Sequence, residues 1–170
     1  TGTKTISGGI LSISRDENLG AVPGSVQSNH LTFVGGGTLQ TTANLTLNTN
    51  RGINLSGNGT INTNPSTQLD YNGLITGAGS LTKSGAGTLV LSANNNFTGN
   101  LNLDGGTLSA SAVGQLGQTT GSNTITFDGG TLLAIADFTL DSSRGISLDG
   151  NGGFNVESDV TLDYAGVISG

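Results

Sequence analysis

GAGSLTKSGAGTLVLSANNNFTGNLNLDGGTL, residues 77–108, is the stretch whose reading decides the fold. Three short words of alternating apolar residues run through it and just beyond its end: Leu89-x-Leu91, Leu101-x-Leu103 and Leu108-x-Ala110. A period of two is that of a half-buried strand. Gly85-Ala86-Gly87, Asn94-Asn95-Asn96 and Gly105-Gly106 break the pattern at every step. Pieces this short are poor hairpin strands, but stacked on copies of themselves they share one continuous core.

Working outward, the whole chain is built from such words, and it repeats. The opening TGTKTISGGILSIS (1–14) aligns with TGNLNLDGGTLSAS (98–111) at an offset of 97. Leu19-Gly20 matches Leu116-Gly117 in the same register. From Gly37 and Gly130 the offset settles at 93, and 38–77 then matches 131–170 without a gap. Arg51-Gly52-Ile53 pairs with Arg144-Gly145-Ile146, and Leu69-Asp70-Tyr71 with Leu162-Asp163-Tyr164. The chain divides into one unit over about 1–97 and a second, incomplete one over about 98–170, which reads as a single β-helix piece of a longer array. Within each unit apolar words recur every six to eight residues, as at Leu31, Leu39, Leu45, Ile53, Ile61 and Leu69. Three such steps make a coil of about 22–24 residues, the size of one turn of a three-sided parallel β-helix. The fold class expected is therefore all-β, a right-handed parallel β-helix solenoid of roughly seven coils, the hand following the chirality of parallel crossovers. A unit is then about four coils long. Helix finds little support, because no i, i+3, i+4, i+7 apolar pattern with caps occurs.

Composition agrees with this reading. Glycine is 30 of 170 residues, far above its ordinary share of about 7%, yet without the collagen triplet. Aromatics are 4% and charges 9%, which is too little charge for intrinsic disorder. Net charge is −6 with five basic residues, so no basic patch is available for nucleic acid. No cysteine is present, which excludes disulfides and thiolate metal sites and would suit a chain that crosses a pore unfolded. No apolar run approaches the ~20 residues of a membrane-spanning helix. Gly and Asn are expected to supply positive φ at the corners, and Pro23 and Pro65 to lie in loops. Residues 15–30, with a charge cluster and a change of length between units, are the expected excursion from the rod.

Residues 77–108 resemble the autotransporter-associated strand repeat (the passenger-associated transport repeat) of bacterial autotransporter passenger domains. The resemblance rests on Gly77, Gly79, Leu81, Lys83, Gly85, Gly87, Leu89 and Leu91, then Phe97-Thr98-Gly99, Gly105-Gly106 and Leu108. It implies a non-enzymatic stalk segment of a secreted or surface-displayed passenger or adhesin, exported by type V secretion and held at the outer membrane through a C-terminal region elsewhere in the parent protein. The implied partners are host or surface glycans and proteins, reached through that parent, and neighbouring β-helix coils. End-to-end self-association of the rod is a further expectation, because open β-helix ends leave unpaired strand edges.

No catalytic, cofactor-binding or metal-binding residue emerges from the sequence. His30, the lone histidine, has neither a positioned acid nor co-ligands in its pattern and reads as a loop or coil-edge residue. Asp70 and Asp163 occupy equivalent places four coils apart, roughly 20 Å by strand spacing, too far for paired carboxylates. Asp137, Asp141 and Asp149 are replaced by Asn44, Asn48 and Ser56 in the first unit. Asp104-Gly-Gly and Asp128-Gly-Gly lack the tandem nonapeptide of calcium-binding β-rolls. Arg51, Arg144 and Lys83 read as coil-corner residues. Asn44, Asn58 and Asn96 match the N-glycosylation pattern, as chance allows in so Asn- and Thr-rich a chain. Two rivals to the stalk are a glycan-binding or polysaccharide-degrading β-helix and an ice-binding one. The latter needs an ordered threonine column, and only Thr124-x-Thr126 suggests it.

Overall fold

The computed structural model describes residues 2–118 and 123–170; Thr1, which heads the opening repeat copy, and 119–122 lie outside the described residues. The chain coils along three faces. β1 (Lys4–Ile6) lies on the first face, β2 (Ile10–Ile13) on the second, and a 3-10 turn over Asp16–Leu19 takes the third. Three circuits of three strands follow. They are β3 (Gln27–Phe33), β4 (Gly37–Thr41) and β5 (Leu45–Leu47); β6 (Arg51–Leu55), β7 (Gly59–Thr63) and β8 (Gln68–Tyr71); and β9 (Ile75–Gly77), β10 (Leu81–Ser84) and β11 (Thr88–Leu91). An irregular stretch, 92–100, crosses the first face. Then come β12 (Leu101–Leu103), β13 (Thr107–Ala110) and a second 3-10 turn (Val113–Leu116). The remaining strands are β14 (Thr124–Phe127), β15 (Thr131–Ala134), β16 (Phe138–Leu140), β17 (Gly145–Leu148), β18 (Gly153–Val156), β19 (Leu162–Tyr164) and β20 (Ile168–Ser169).

Every pairing among the described strands is parallel, which makes the fold an all-β parallel solenoid. The second face carries an eight-stranded ladder in the order β2-β4-β7-β10-β12-β14-β17-β20. The third carries β5-β8-β11-β13-β15-β18, and the first β1-β3-β6-β9. β16 and β19 pair as a separate two-stranded sheet after the first face is interrupted by 92–100 and the second 3-10 turn. Inward alternation fills the interior with Leu31, Phe33, Leu39, Leu55, Ile61, Leu69, Leu81, Leu89, Leu101 and their neighbours, all essentially inaccessible. Each such side chain contributes about 1.5–3 kcal/mol by leaving water.

Turn length varies around the expected value. Paired residues are 22 apart at Thr60 and Thr82, 19 at Leu89 and Leu108, and 28 at Ile10 and Thr38. The longest turn contains 15–30, but the expected excursion is narrower than that. Leu19 is buried in the core, Pro23 is buried with its carbonyl accepting from Asn50 Nδ2 at 2.8 Å, and His30 is buried within β3, while Val22 and Val26 are exposed. The unit slightly exceeds the four coils expected. β1 lies in the first-face sheet but its repeat counterpart β12 lies in the second-face sheet; β4 and β15, and β6 and β17, are displaced in the same way. Thirteen face crossings separate β1 from β12, counting the 3-10 turn and 92–100 as one each, so the unit spans four turns and a third.

Glycines at the corners do different jobs. Gly77 sits at φ +107 and needs no Cβ for that reason. Gly79 and Gly99 have ordinary φ, but a Cβ on Gly79 would strike the carbonyl of Gly57, and one on Gly99 the carbonyl of Gly79. Turn stacked on turn leaves no room for a side chain there. Asparagine does not supply positive φ at any described position; the two non-glycine cases are the equivalent residues Ser66 and Asp159. Pro23 and Pro65 both lie outside the strands.

Candidate functional site

Lys83 occupies an inward position on β10, stacked between Ile61 and Leu103. Its side chain runs through apolar surroundings to the next corner, where Nζ donates to the carbonyls of Ser84 at 2.7 Å, Gly85 at 2.9 Å and Gly105 at 3.1 Å. Three donors meet three acceptors, so the ammonium is satisfied without a carboxylate. Burial pushes its pKa down to about 8. The lysine ties two successive turns at the corner between the second and third faces.

Arg51 is fully buried. Its Nε and Nη2 take both oxygens of Asp16 at 2.8 and 3.0 Å. Nη2 also reaches the carbonyl of Gly20 at 2.6 Å, and Nη1 that of Leu19 at 3.4 Å. The Nε2 of His30 lies 3.2 Å from Nη1. The histidine is therefore a buried strand residue facing the guanidinium, rather than the loop or coil-edge residue its sequence context suggested. Its placement follows from β3 starting before His30 and turning its ring inward. Burial and the guanidinium together hold the imidazole below its ordinary pKa. Arg144 repeats the design with fewer partners: Nη1 donates to Leu116 O at 3.0 Å, and Nη2 to Gly117 O at 3.2 Å and Gln118 O at 2.7 Å. Its Nε is buried and has no partner among the described residues.

The carboxylates do not converge on a cleft. Asp70 accepts from Gln68 and Thr46. Its counterpart Asp163 belongs to β19, in another sheet, because the units are rotated by a third of a turn. Asp137 Oδ1 receives the amide of Thr161 at 2.7 Å, as Asn44 Oδ1 receives that of Gln68 at 2.8 Å. Asn and Asp thus exchange freely at this corner because each offers one acceptor to the next turn. Asn58 and Asn100 do the same for Ser80 and Thr124. Asp141 caps Ser143, whose hydroxyl and amide hold the carboxyl below its usual range, and Asp149 is bonded by Ser147. What the structure does bring together is Asp104, Asp128 and Asp149. Their amides bond the carbonyls of Lys83, Leu103 and Phe127 in successive turns. Partial burial and the charge of Asp128 hold Asp104 above its ordinary value. Among the described residues no three His, Cys, Asp or Glu side chains are grouped to hold a metal.

The outward hydroxyls are more ordered than the sequence suggested. Thr38, Thr60, Thr82, Asn102, Thr126, Ser147 and Ser169 pair rung by rung into one column on the second face. Asn102 donates to Thr82 within it. Sequence inspection misses the column because its members are 20 to 24 residues apart, at spacings set by each turn's own length.

Residues 81–110, which carry Lys83 and the shortest turn, match the family model described as the passenger-associated-transport-repeat. The chain is 41% identical over 96 residues to the adhesin BmaC autotransporter of Brucella suis biovar 1 (strain 1330). That match covers 56% of this chain and 3% of the relative's length. No solved structure matches the chain significantly.

Proposed function

From a chain that carries a passenger-associated transport repeat at residues 81–110, we propose a stalk segment of a secreted or surface-displayed bacterial autotransporter passenger. The segment is non-enzymatic and holds distal adhesive regions away from the cell. In this reading the parent is anchored in the outer membrane elsewhere along its length, and glycans or proteins of a host or surface are met by the parent rather than by this rod. Residues 1–97 and 98–170 serve as successive modules of one array.

The observation that carries the reading is the uninterrupted eight-stranded ladder that runs through the repeat. Each finished turn offers an edge of backbone donors and acceptors to the next, so a chain emerging from a pore folds turn by turn. Sliding back would require unstacking a turn whose core is already dry. The third-of-a-turn rotation between units supports a stalk as well, since equivalent surfaces spiral around the rod instead of accumulating on one side. Leu89 and Leu91, both inside the repeat and buried, are the test. Replacing both by Asp in the parent protein should sharply lower its surface display, measured by antibody labelling of intact cells at equal expression. Display at the unmodified level would sink the export role.

A further inference from the structure

We propose that Asp16, His30 and Arg51 form an acid-released clasp that fastens residues 15–20 to the rod. Arg51 anchors the 3-10 turn by its bonds to Asp16 and to the carbonyls of Leu19 and Gly20. A guanidinium has only donors, so the Nε2 of His30 must accept from it. The ring is then neutral, with its proton on Nδ1, which is buried and has no partner among the described residues. Protonating Nε2 removes the acceptor and sets two cations face to face in a closed interior.

The surrounding charges do not relieve this. Arg51 faces the ring from β6, and Lys4 from β1, with its Nζ near Gly20; both oppose protonation. Asp16, on the 3-10 turn, alone favours it, and both its oxygens are taken by Arg51. The imidazole is held below its ordinary value in the closed form, whereas a released ring regains about 6.5. The open form therefore binds more protons, and closure weakens as pH falls through and below about 6.5. The same chain holds its own control. Arg144 grips Leu116 and Gly117, the counterparts of Leu19 and Gly20, with no histidine against it.

Hydrogen exchange on the 170-residue chain between pH 7.5 and pH 5, above the ordinary carboxylate range of about 4, tests the clasp. After correction for intrinsic rates, protection at Asn18 and Gly20 should fall at least about tenfold, while protection at Gln115 stays within about twofold. His30→Gln, which keeps an acceptor and cannot titrate, should abolish the difference. Equal protection at both pH values, a parallel loss at Gln115, or an unchanged loss in His30→Gln would each overturn the proposal. Should that variant not fold, the NMR titration of His30 in the unaltered chain decides: a midpoint below 6.5 coupled to shifts at Asp16–Gly20 supports the clasp, and a midpoint at or above 6.5 refutes it.

Discussion

The hydroxyl of Tyr71 donates to the backbone carbonyl of Arg51, one turn away, at 2.8 Å, and Tyr164 bonds Arg144 in the same manner. The inward tyrosine thus ties down the corner residue whose guanidinium holds the preceding turn. Side chain and backbone of one arginine are used by two different layers of the rod.

Tyr71→Phe should cost about 1–3 kcal/mol in chemical denaturation, because a buried carbonyl loses its donor. Tyr164→Phe should cost less, since that ring is only half-buried. Burial also raises the Tyr71 pKa well above its ordinary value. A phenol whose folded value lies above its unfolded value stabilises fully below about pH 10 and loses that contribution as pH rises further. The unmodified chain should accordingly lose stability above pH 10 more steeply than Tyr71→Phe.

Lys83→Met keeps the apolar stem but leaves the carbonyls of Ser84, Gly85 and Gly105 without their donor. The expected loss is about 1–3 kcal/mol at pH 7. With the folded value lowered to about 8, the unfolded chain binds more protons between there and about 10.5, so Lys83 makes stability rise with pH across that window. Urea midpoints at pH 7 and pH 10 should show this rise in the unmodified chain and lose it in Lys83→Met.

Gly79→Ala forces a methyl against the backbone of Gly57 and should destabilise by at least about 1–3 kcal/mol. Gly105→Ala is the contrast: its nearest neighbour would be 3.6 Å away. Similar losses in the two variants would refute the steric account of the repeat's glycines.

Asp104→Asn removes one carboxylate from the stack with Asp128 and should raise stability at pH 7 by a few tenths of a kcal/mol, since Asp104 is largely solvent-screened. Its folded value lies above the unfolded one, so its penalty develops as pH rises through about 4. Thermal melts should separate the variant from the parent at pH 7 and not at pH 3.

Phe154, Val156 and Ile168 are exposed around a concavity of about 250 Å³ lined also by Leu140, Leu162 and Tyr164. Concentration-dependent association in sedimentation is expected, and Val156→Lys should suppress it. A monomer at all concentrations would refute the association.

Much of the rod was legible in the chain. The two-residue alternation named the core at Leu89, Leu101 and Leu108, and internal repetition exposed the solenoid. The repeat signature marked Lys83, though not that its ammonium is buried. His30 was misread because its exposure depends on where β3 begins, which no neighbouring residue announces. The third-of-a-turn offset was missed for a related reason: 92–100 and the two 3-10 turns each fill a face without spelling a strand.

The sequence by itself determined the local words, their repetition and the corners between them, since alternation and glycine act over a few residues. Only the tertiary structure decided what meets what. Parallel stacking brings together residues 19 to 28 positions apart, and each turn's own length sets the partner. That is why Arg51 reaches His30, 21 positions back, and across the long turn Asp16, 35 back, why Thr, Asn and Ser align from Thr38 to Ser169, and why equivalent units face different ways.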